Sequence, residues 1–433
     1  MDYSRESQST SCKPVIGTMS NFLFLNRDGL LLLSTRVIRL FAYGLLSVIL
    51  VLYLSEVGLS LMQIGTLITL TLIGDTAISL WLTTQADRIG RRRMLLIGSG
   101  LIILAGVVFS ATTSFFLLLL AAIIGVISPT GSEVGPFLSI EQAALSQIIS
   151  DENRTKVFAW YNLVGAFAIS FGSLAGGGIV QLLQNSGLTP IESYRVVVIC
   201  YALIGGLLGA VFACLSPDIE TSKKEAPLIK IGLGLHSSKK TVLGLSALFA
   251  LDAFGGGFIM QSIIAYWFFI KFHVEPATLG GIFFVANLLA GISSLLAYWL
   301  AKRFGLINTM VFTHIPSNIL LILVPFMPTL NLAIIVLFLR FSISQMDVPT
   351  RQSYLMAVVG ENERSAAAGI SGVARTLGAS ISPILAGPLL AHPALMNFPF
   401  ILAGGLKIIY DIFLYLGFIS KKPKIENKDT SSS

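Results

Sequence analysis

The chain is poor in charge and in cysteine. Only 12% of its 433 residues are charged, about half of the roughly 25% that is typical of soluble domains. Hydrophobic residues make up 54% of the chain, and the mean hydropathy is +0.82. A surface in contact with water cannot carry so many apolar groups. The composition therefore excludes a cytosolic enzyme, a secreted module and a disordered protein.

Three cysteines, Cys12, Cys200 and Cys214, are too few and too widely spaced for a disulfide framework or a zinc site, so free thiols are expected. The net charge of +7 is not gathered into a basic helix, so no nucleic-acid partner is expected. The first 20 residues are polar, which predicts no cleaved signal peptide. No metal site and no cofactor are predicted.

Long apolar windows predict an all-α polytopic membrane protein, because about 20 helical residues cross the roughly 30 Å of hydrocarbon in a bilayer. Prolines 129 and 136 interrupt the fourth window and Pro349 interrupts the tenth, which predicts a kink or local unwinding there. The twelve predicted transmembrane helices are 36–55, 62–86, 94–112, 115–149, 157–183, 195–215, 242–270, 277–301, 308–327, 330–359, 365–390 and 398–418.

Basic residues concentrate in alternate loops, whereas the loops between hold only Arg195 and Lys271. Because cytoplasmic loops retain positive charge, both termini are predicted to be cytoplasmic. We expect an integral protein of the plasma (inner) membrane that acts as a monomer. The predicted organisation is a cytoplasmic segment 1–35, a six-helix bundle 36–215, a cytoplasmic linker 216–241, a second six-helix bundle 242–418 and a cytoplasmic tail 419–433.

The two halves of the sequence resemble each other when the chain is shifted against itself. At an offset of 210, residues 151–154 (Asp-Glu-Asn-Arg) fall on residues 361–364 (Glu-Asn-Glu-Arg), and Glu141 falls on Arg351. At an offset of 215, residues 87–90 fall on residues 302–305, both basic turns that end in glycine. The matches predict parallel repeats related by an axis along the membrane normal.

Twelve spans divided six and six, a central linker and the segment 87–93 (Asp-Arg-Ile-Gly-Arg-Arg-Arg) resemble the major facilitator superfamily of secondary transporters. Thr83 departs from the glycine that usually opens this motif. The resemblance implies a conformational latch in which the Asp87 carboxylate meets the start of span 11 and Arg91 meets Asp151 or Glu152. The alternative is that the arginines only fix topology. The latch residues are Asp87, Arg88, Gly90, Arg91, Asp151 and Glu152.

Ionisable groups inside spans need a partner or a wet cavity, because each costs roughly 2.5–3.5 kcal/mol at the bilayer centre. In span 10 such groups fall on one narrow helical stripe. The resemblance places spans 1, 4, 7 and 10 around the transport path; the alternative for the stripe is a structural pair, Asp347 with Arg351. The candidate substrate or coupling residues are Asp75, Glu133, Glu141, Arg340, Ser344, Asp347, Arg351, Arg375, Gln261 and Tyr43.

Several pairings are predicted. Glu141 and Arg351 are repeat-equivalent, so they are expected to pair across the bundles and close the cytoplasmic side. Asp75 and Arg375 lie at similar depth and are expected to meet at the bundle interface; the alternative is Arg375 as an anion ligand with Asp75 protonated. Lys407 and Asp411 are spaced i,i+4 and are expected to neutralise each other.

Three charged residues stand near the cytoplasmic starts of spans 1 and 7. Arg36, Arg39 and Asp252 are expected to snorkel or to cap helices, with Arg39 and Asp252 able to reach the cavity mouth. His314 is expected to be an interior histidine with a satisfied hydrogen bond rather than a pH sensor. The run Gly255-Gly256-Gly257 predicts a bending point in span 7.

The predicted function is secondary active transport of a small organic solute by alternating access, with an anion as one candidate class of solute and with proton-coupled efflux or antiport favoured. The alternative is proton-coupled uptake of a neutral nutrient such as a sugar. A non-transport membrane protein or an intramembrane enzyme is more remote, because the sequence offers no phosphate-binding loop, metal pair or nucleophile set. The expected partners are the solute, protons and the lipid bilayer.

Overall fold

The structure is a computed structural model that describes residues 26–133, 135–149, 151–220, 238–360 and 363–419, with the backbone alone for residues 87, 151–156 and 365. The described residues are helical with short connections. The first half holds α1 (Arg27–Glu56), α2 (Leu61–Ile89), α3 (Arg91–Ala111), α4 (Phe115–Ile124), α5 (Phe137–Ile148), α6 (Asp151–Asn185) and α7 (Pro190–Ala213). The second half holds α8 (Lys239–Gly257), α9 (Gln261–Phe272), α10 (Pro276–Phe304), α11 (Leu306–Leu323), α12 (Leu330–Phe341), α13 (Asp347–Val358), α14 (Arg364–Ala391) and α15 (Phe398–Phe418).

Ten of the described spans are long and apolar enough to cross a membrane, counting α8 and α9 as one. The predicted spans four and ten are each divided in two, α4 with α5 and α12 with α13, so the fold class of twelve membrane helices is confirmed. α1 begins at Arg27 and α8 at Lys239, earlier than the predicted 36 and 242. The predicted linker 216–241 is described for residues 216–220 and 238–241. Residues 1–25, which include the segment predicted to carry no signal peptide, lie outside the described residues.

Of the three breaks within the described spans, two occur where the sequence contains proline or glycine. The third, between Phe341 and Asp347 in the tenth span, contains neither and precedes Pro349, which lies inside α13. The fourth span stops at Gly125 and resumes after Pro136, and the seventh stops at Gly257 and resumes at Gln261. Proline cannot donate a helical hydrogen bond, and glycine is a weak helix former, so both favour unwinding. The predicted break and the predicted bending point are therefore confirmed, and both unwound segments lie where the two halves meet, because the Ser262 amide donates to the Pro129 carbonyl at 3.2 Å.

The halves repeat each other in their closest backbone contacts. A Cβ atom on Gly44 of α1 would lie 2.3 Å from the carbonyl oxygen of Ile169 in α6. A Cβ atom on Gly257 of α8 would lie 2.4 Å from the carbonyl oxygen of Ala379 in α14. Ile169 and Ala379 are separated by the predicted offset of 210, and Gly44 and Gly257 by 213. The internal repeat is therefore present in the packing and gives the register of α1 against α8.

The same symmetry governs the contacts between halves, in which α2 packs on α14 and α6 packs on α10. A Cβ atom on Gly65 would meet the Pro383 carbonyl oxygen at 2.3 Å, and one on Gly280 would meet the Ser173 carbonyl oxygen at 2.8 Å. These glycines lie at the end of the bundle away from the basic turns at 88–93 and 302–303. We call the two ends the opposite end and the basic end.

Candidate functional site

A buried ion-pair cluster occupies the core of the first half. Arg39 of α1 and Glu141 of α5 are both fully buried and form a double hydrogen bond, with Nη1 to Oε1 at 2.5 Å and Nη2 to Oε2 at 2.9 Å. The Thr35 hydroxyl donates to Oε1 of Glu141 at 2.9 Å, and the Tyr161 hydroxyl donates to Oε2. These donors supply the hydrogen bonds that an ionised carboxylate requires when it is removed from water.

Glu133, in the unwound segment between α4 and α5, extends this cluster. Its carboxylate accepts from Nε of Arg39 at 2.9 Å and from Nη1 of Arg36, whose guanidinium lies 4.4 Å from the centre of the Tyr161 ring. Arg36 and Arg39 are therefore buried ion-pair residues, and the expectation that they snorkel or cap is wrong. The acidic partners on α5 and the preceding segment compensate the two charges that burial removes from water.

A second cluster, centred on Asp252 of α8, occupies the second half. The Asp252 carboxylate binds Nζ of Lys407 at 2.6 Å and Nη1 of Arg351 at 3.0 Å, and Arg351 also contacts Oδ2 of Asp347 at 3.0 Å. The span-10 pair Asp347–Arg351 therefore exists, and it is joined to α8 and α15 through Asp252. Asp252 is 3% exposed, so it neither snorkels nor caps a helix.

Lys407 and Asp411 do not neutralise each other, and that prediction is wrong. Asp252 takes the ammonium group of Lys407, whereas the Asp411 carboxylate contacts Nδ1 of His314 at 2.9 Å and accepts from Nδ2 of Asn318 at 3.2 Å. Spacing along one helix gave the wrong partners because α8 and α11 both pack against α15 and bring their own charges. His314 is 5% exposed and hydrogen-bonded, as predicted.

The two clusters are related by the internal repeat, and their charges are inverted. Asp252 stands 213 residues after Arg39, the register of α8 against α1, and Arg351 stands 210 residues after Glu141. In each half an equivalent buried ion pair therefore joins the first span to the fourth, positive to negative in the first half and negative to positive in the second. In this conformation Glu141 pairs with Arg39 and Arg351 with Asp252, so the structure does not bring Glu141 and Arg351 together.

A polar layer joins the halves in the middle of the bundle. Nε2 of Gln261 donates to Oγ of Ser47 at 2.8 Å and to Oγ of Ser173 at 3.0 Å, while Nδ2 of Asn287 donates to Oε1 of Gln261 at 3.0 Å. Gln261 was predicted as a site residue, but Asn287 and Ser173 were not. Their position opposite each other follows from the α6–α10 contact, which the sequence did not indicate.

The described hydrogen bonds between the halves lie at this layer or towards the opposite end. They include the amide of Ile384 with the Thr69 hydroxyl at 3.1 Å and the hydroxyls of Ser55 and Tyr266 at 3.3 Å. At the basic end the charged groups pair within their own half. The protein is thus held closed at the opposite end. Tyr43, another predicted site residue, is fully buried one turn from Arg39.

Two cations of the second half have no ion pair among the described residues. Arg340, at the end of α12, is 8% exposed, and its Nε is buried without a hydrogen bond. Oγ of Ser344, four residues later in the break before α13, is also buried without a partner. Arg375 of α14 is partly exposed and lies within electrostatic range of Asp252 and Asp347.

The predicted pair Asp75–Arg375 is not formed. Asp75, in α2, accepts from the Ser79 hydroxyl at 3.4 Å and lies within hydrogen-bonding reach of the Gly135 amide, so its contacts belong to the first half. Arg375 lies near the acids of α8 and α13 in the second half. Similar depth was not sufficient for pairing, because each side chain turns towards the broken span of its own half.

The latch segment is held by partners that the sequence did not indicate. Gly90 adopts φ +116°, which permits the turn from α2 to α3, and Oε2 of Glu220 accepts from the Arg91 amide at 2.6 Å. The Arg91 guanidinium donates to Oε1 of Gln147 at 2.7 Å and to the Ile219 carbonyl at 3.0 Å. Arg88 is exposed. The predicted roles of the side chains of Asp87, Asp151 and Glu152 lie outside the described residues.

Comparison with known proteins decides the family. Residues 32–383 match the Major Facilitator Superfamily, and a second match covers residues 271–433. The chain belongs to this superfamily. The uncharacterized membrane protein YJR124C of Saccharomyces cerevisiae is 31% identical over 437 residues, which cover 94% of this chain and 97% of the yeast protein.

Solved structures of the superfamily share the fold. The D-xylose–proton symporter superposes with a TM-score of 0.68 at 16% identity, covering 89% of this chain and 97% of the symporter. A bacterial homologue of the human lysosomal transporter Spinster, inward-facing and occupied, superposes with a TM-score of 0.70 at 15% identity, covering 90% and 95%. As a major facilitator protein, the chain is a membrane transporter of small molecules and not an enzyme.

Proposed function

We propose that the protein transports a small organic anion by proton-coupled alternating access. The observation that carries the proposal is the buried guanidinium of Arg340, which has no ion pair among the described residues, together with the buried, unpartnered hydroxyl of Ser344 four residues later. Asp347 lies within electrostatic range of Arg340 but forms no ion pair with it. Burial of a charge without a direct partner is costly, and a carboxylate or phosphate group of a substrate would supply that partner. Arg375, partly exposed and without an ion pair in the described part of the chain, supplies a second positive charge on the same half.

A second candidate is the uptake of a neutral polar nutrient. The layer of Gln261, Asn287, Ser47 and Ser173 presents amides and hydroxyls, the groups that bind sugar hydroxyls. These groups are already bonded to one another, whereas Arg340 and Ser344 are not, and this difference favours the anion. The proposal places the basic end in the cytoplasm, because the basic turns at 88–93 and 302–303 carry the excess of positive charge. It also takes the protein to be a monomer in the plasma membrane.

The proposal is tested by replacing Arg340 in the purified transporter. We expect Arg340→Gln to weaken binding of an anionic substrate about 10- to 100-fold, since a hydrogen bond to a charged group contributes about 1.5–3 kcal/mol. Arg340→Lys should retain part of the affinity because it keeps the charge. A thermal-shift screen would first compare carboxylates and organic phosphates with sugars and nucleosides, and titration of the best ligand would give the affinities.

Arg303→Gln is the matched control, because Arg303 is an exposed cation at the basic end. Stabilisation by sugars or nucleosides alone would replace the proposal with the neutral-nutrient candidate. Equal affinities in wild-type protein and Arg340→Gln would remove Arg340 from the binding site.

We further propose that the inverted ion pairs exchange partners when the basic end closes. Arg39 would then meet Asp252, and Glu141 would meet Arg351, so no charge is left unpaired in either conformation. The support is the repeat itself, which places opposite charges at equivalent positions of the two halves. An exchange of this kind keeps the energies of the two conformations similar, which rapid alternation requires.

The neighbouring residues Gln142 and Gln352 are also repeat-equivalent and retain exposure, so they can report closure. In a chain with its native cysteines replaced, Gln142→Cys with Gln352→Cys should be joined by a short bifunctional thiol reagent, with a higher yield when substrate is supplied. Adding Arg351→Gln should lower that yield, because one exchanged pair is lost. Gln142→Cys with Phe312→Cys, an outward-facing residue 61% exposed, is the control. A yield insensitive to substrate and to Arg351→Gln would contradict the exchange.

A further inference from the structure

We infer that the coupling proton binds in the second half, between Nε2 of His314 and the Asp252 carboxylate. The inference rests on the proposed proton coupling and assigns it a site. The carboxylates first considered for coupling, such as Glu133 and Glu141, are held by two buried arginines, whereas His314 lies between two acids. Its ring therefore has room for a proton that the surroundings can stabilise.

The geometry leaves one proton position open. Nδ1 of His314 lies 2.9 Å and 3.1 Å from the two carboxylate oxygens of Asp411, so one proton is shared between ring and carboxylate. Nε2 lies 3.8 Å from Oδ1 of Asp252, beyond hydrogen-bonding distance. When Nε2 carries no hydrogen, it and the Asp252 oxygen are two facing acceptors. A proton on Nε2 turns this contact into a charge-assisted hydrogen bond after a small side-chain movement.

The charged groups around the His314 ring determine how a proton on Nε2 changes the net charge of the cluster. Asp252 faces the ring from α8, and Lys407 and Asp411 lie on α15. The centre of the Tyr410 ring lies 5.9 Å from the centre of the His314 ring. Beyond Asp252 lie Asp347 and Arg351 of α13 and Arg375 of α14. With a neutral imidazole these three acids and three bases balance. One added proton gives the cluster a net positive charge. Interactions between charges are strong in the low-dielectric interior, so the added charge acts on the neighbouring ion pairs.

The added proton would act on the ion pair that the transport cycle uses. His314 and Lys407 approach the same oxygen of Asp252, Oδ1, while Arg351 holds Oδ2. A protonated His314 competes with Lys407 for Oδ1 and weakens the ion pairs that Asp252 forms with Lys407 and Arg351. Because the Asp252–Arg351 pair joins α8 to α13, its strength changes the relative stability of the two conformations. Protonation is in this way linked to the movement of the halves.

The test separates exchange from accumulation in proteoliposomes that contain an anion identified by the thermal-shift screen. We expect His314→Gln to exchange labelled for unlabelled substrate within about threefold of the wild type, since Arg340 is untouched. Accumulation driven by an imposed pH difference should fall at least tenfold. His392→Gln is the matched control, because His392 is exposed at the end of α14 and should leave both measurements unchanged.

A second readout needs no substrate. Thermal stability would be measured between about pH 5 and 8. Its dependence on pH should be smaller in His314→Gln than in the wild type, because the proposed proton position is removed, and undiminished in His392→Gln. Asp411→Asn keeps the size of the carboxylate without its charge, and it should shift the pH profile of accumulation towards acid. Undiminished proton-driven accumulation by His314→Gln would overturn the inference. An absence of anion transport by the wild type would instead contradict the proposed function, and the stability profile would still decide the proton site.

Discussion

Replacing Glu141 by glutamine is expected to lower the free energy of unfolding by about 3 kcal/mol, the lower end of the range for breaking a buried ion pair, because Glu133 remains as a partner of Arg39. Arg39 is fully buried, and Glu141 provides both oxygens of its double hydrogen bond. Glutamine also replaces the charged acceptor of the Thr35 and Tyr161 hydroxyls with a neutral one. Thermal and denaturant unfolding in detergent, followed by tryptophan fluorescence, would measure the loss.

Glu275→Gln is the matched control for this substitution. Glu275 precedes α10 at the surface, and its side chain makes no capping hydrogen bond, so the same chemical change should cost less than about 0.5 kcal/mol there. A loss at Glu141 no larger than the loss at Glu275 would mean that the cluster of the first half does not stabilise the fold.

Replacing Gly177 by alanine is expected to reduce the transport rate at least about fivefold. A Cβ atom on Gly177 of α6 would lie 2.1 Å from the Pro276 carbonyl oxygen and 2.8 Å from the Gly280 nitrogen of α10. Because these are backbone atoms, the helices must separate, at a cost of about 1–3 kcal/mol for overpacking. That cost falls on the conformation closed at the opposite end, and it corresponds to a roughly 5- to 150-fold shift in the conformational equilibrium.

The adjacent Gly178 provides the control, because a Cβ atom there would meet no atom within 4 Å. Gly178→Ala should transport at the wild-type rate. A cysteine introduced at Ser55, which contacts Tyr266 across the closed end, should react faster with a thiol reagent in Gly177→Ala than in Gly178→Ala. Identical transport and labelling in the two variants would contradict the view that this close contact closes the opposite end.

Much of the fold was predictable because membrane helices are specified by local properties. Apolar length located the spans, proline and glycine located the breaks near Pro129 and Gly257, and the repeat offsets of 210 and 215 gave the relation of the halves. Each of these signals needs only a single helix or a comparison of the chain with itself. They required no knowledge of which helices touch.

The site was less predictable, because partner choice depends on packing between helices far apart in sequence. Charge and depth singled out Glu141, Arg351 and Arg340 correctly as buried groups. The same reasoning joined Lys407 to Asp411, whereas α8 brings Asp252 to Lys407 and α11 brings His314 to Asp411. Neutral residues such as Asn287 gave no signal, because an amide in a span becomes informative only when the facing helix is known.

The inversion of charge between the two clusters has a consequence for the assembly of the chain. A homodimer of first halves would place Arg39 opposite Arg39 and Glu141 opposite Glu141 about a twofold axis, and a homodimer of second halves would repeat the conflict with Asp252 and Arg351. Like charges repel in both cases, whereas the mixed combination is complementary. The two halves, produced as separate polypeptides, should therefore select each other over copies of themselves.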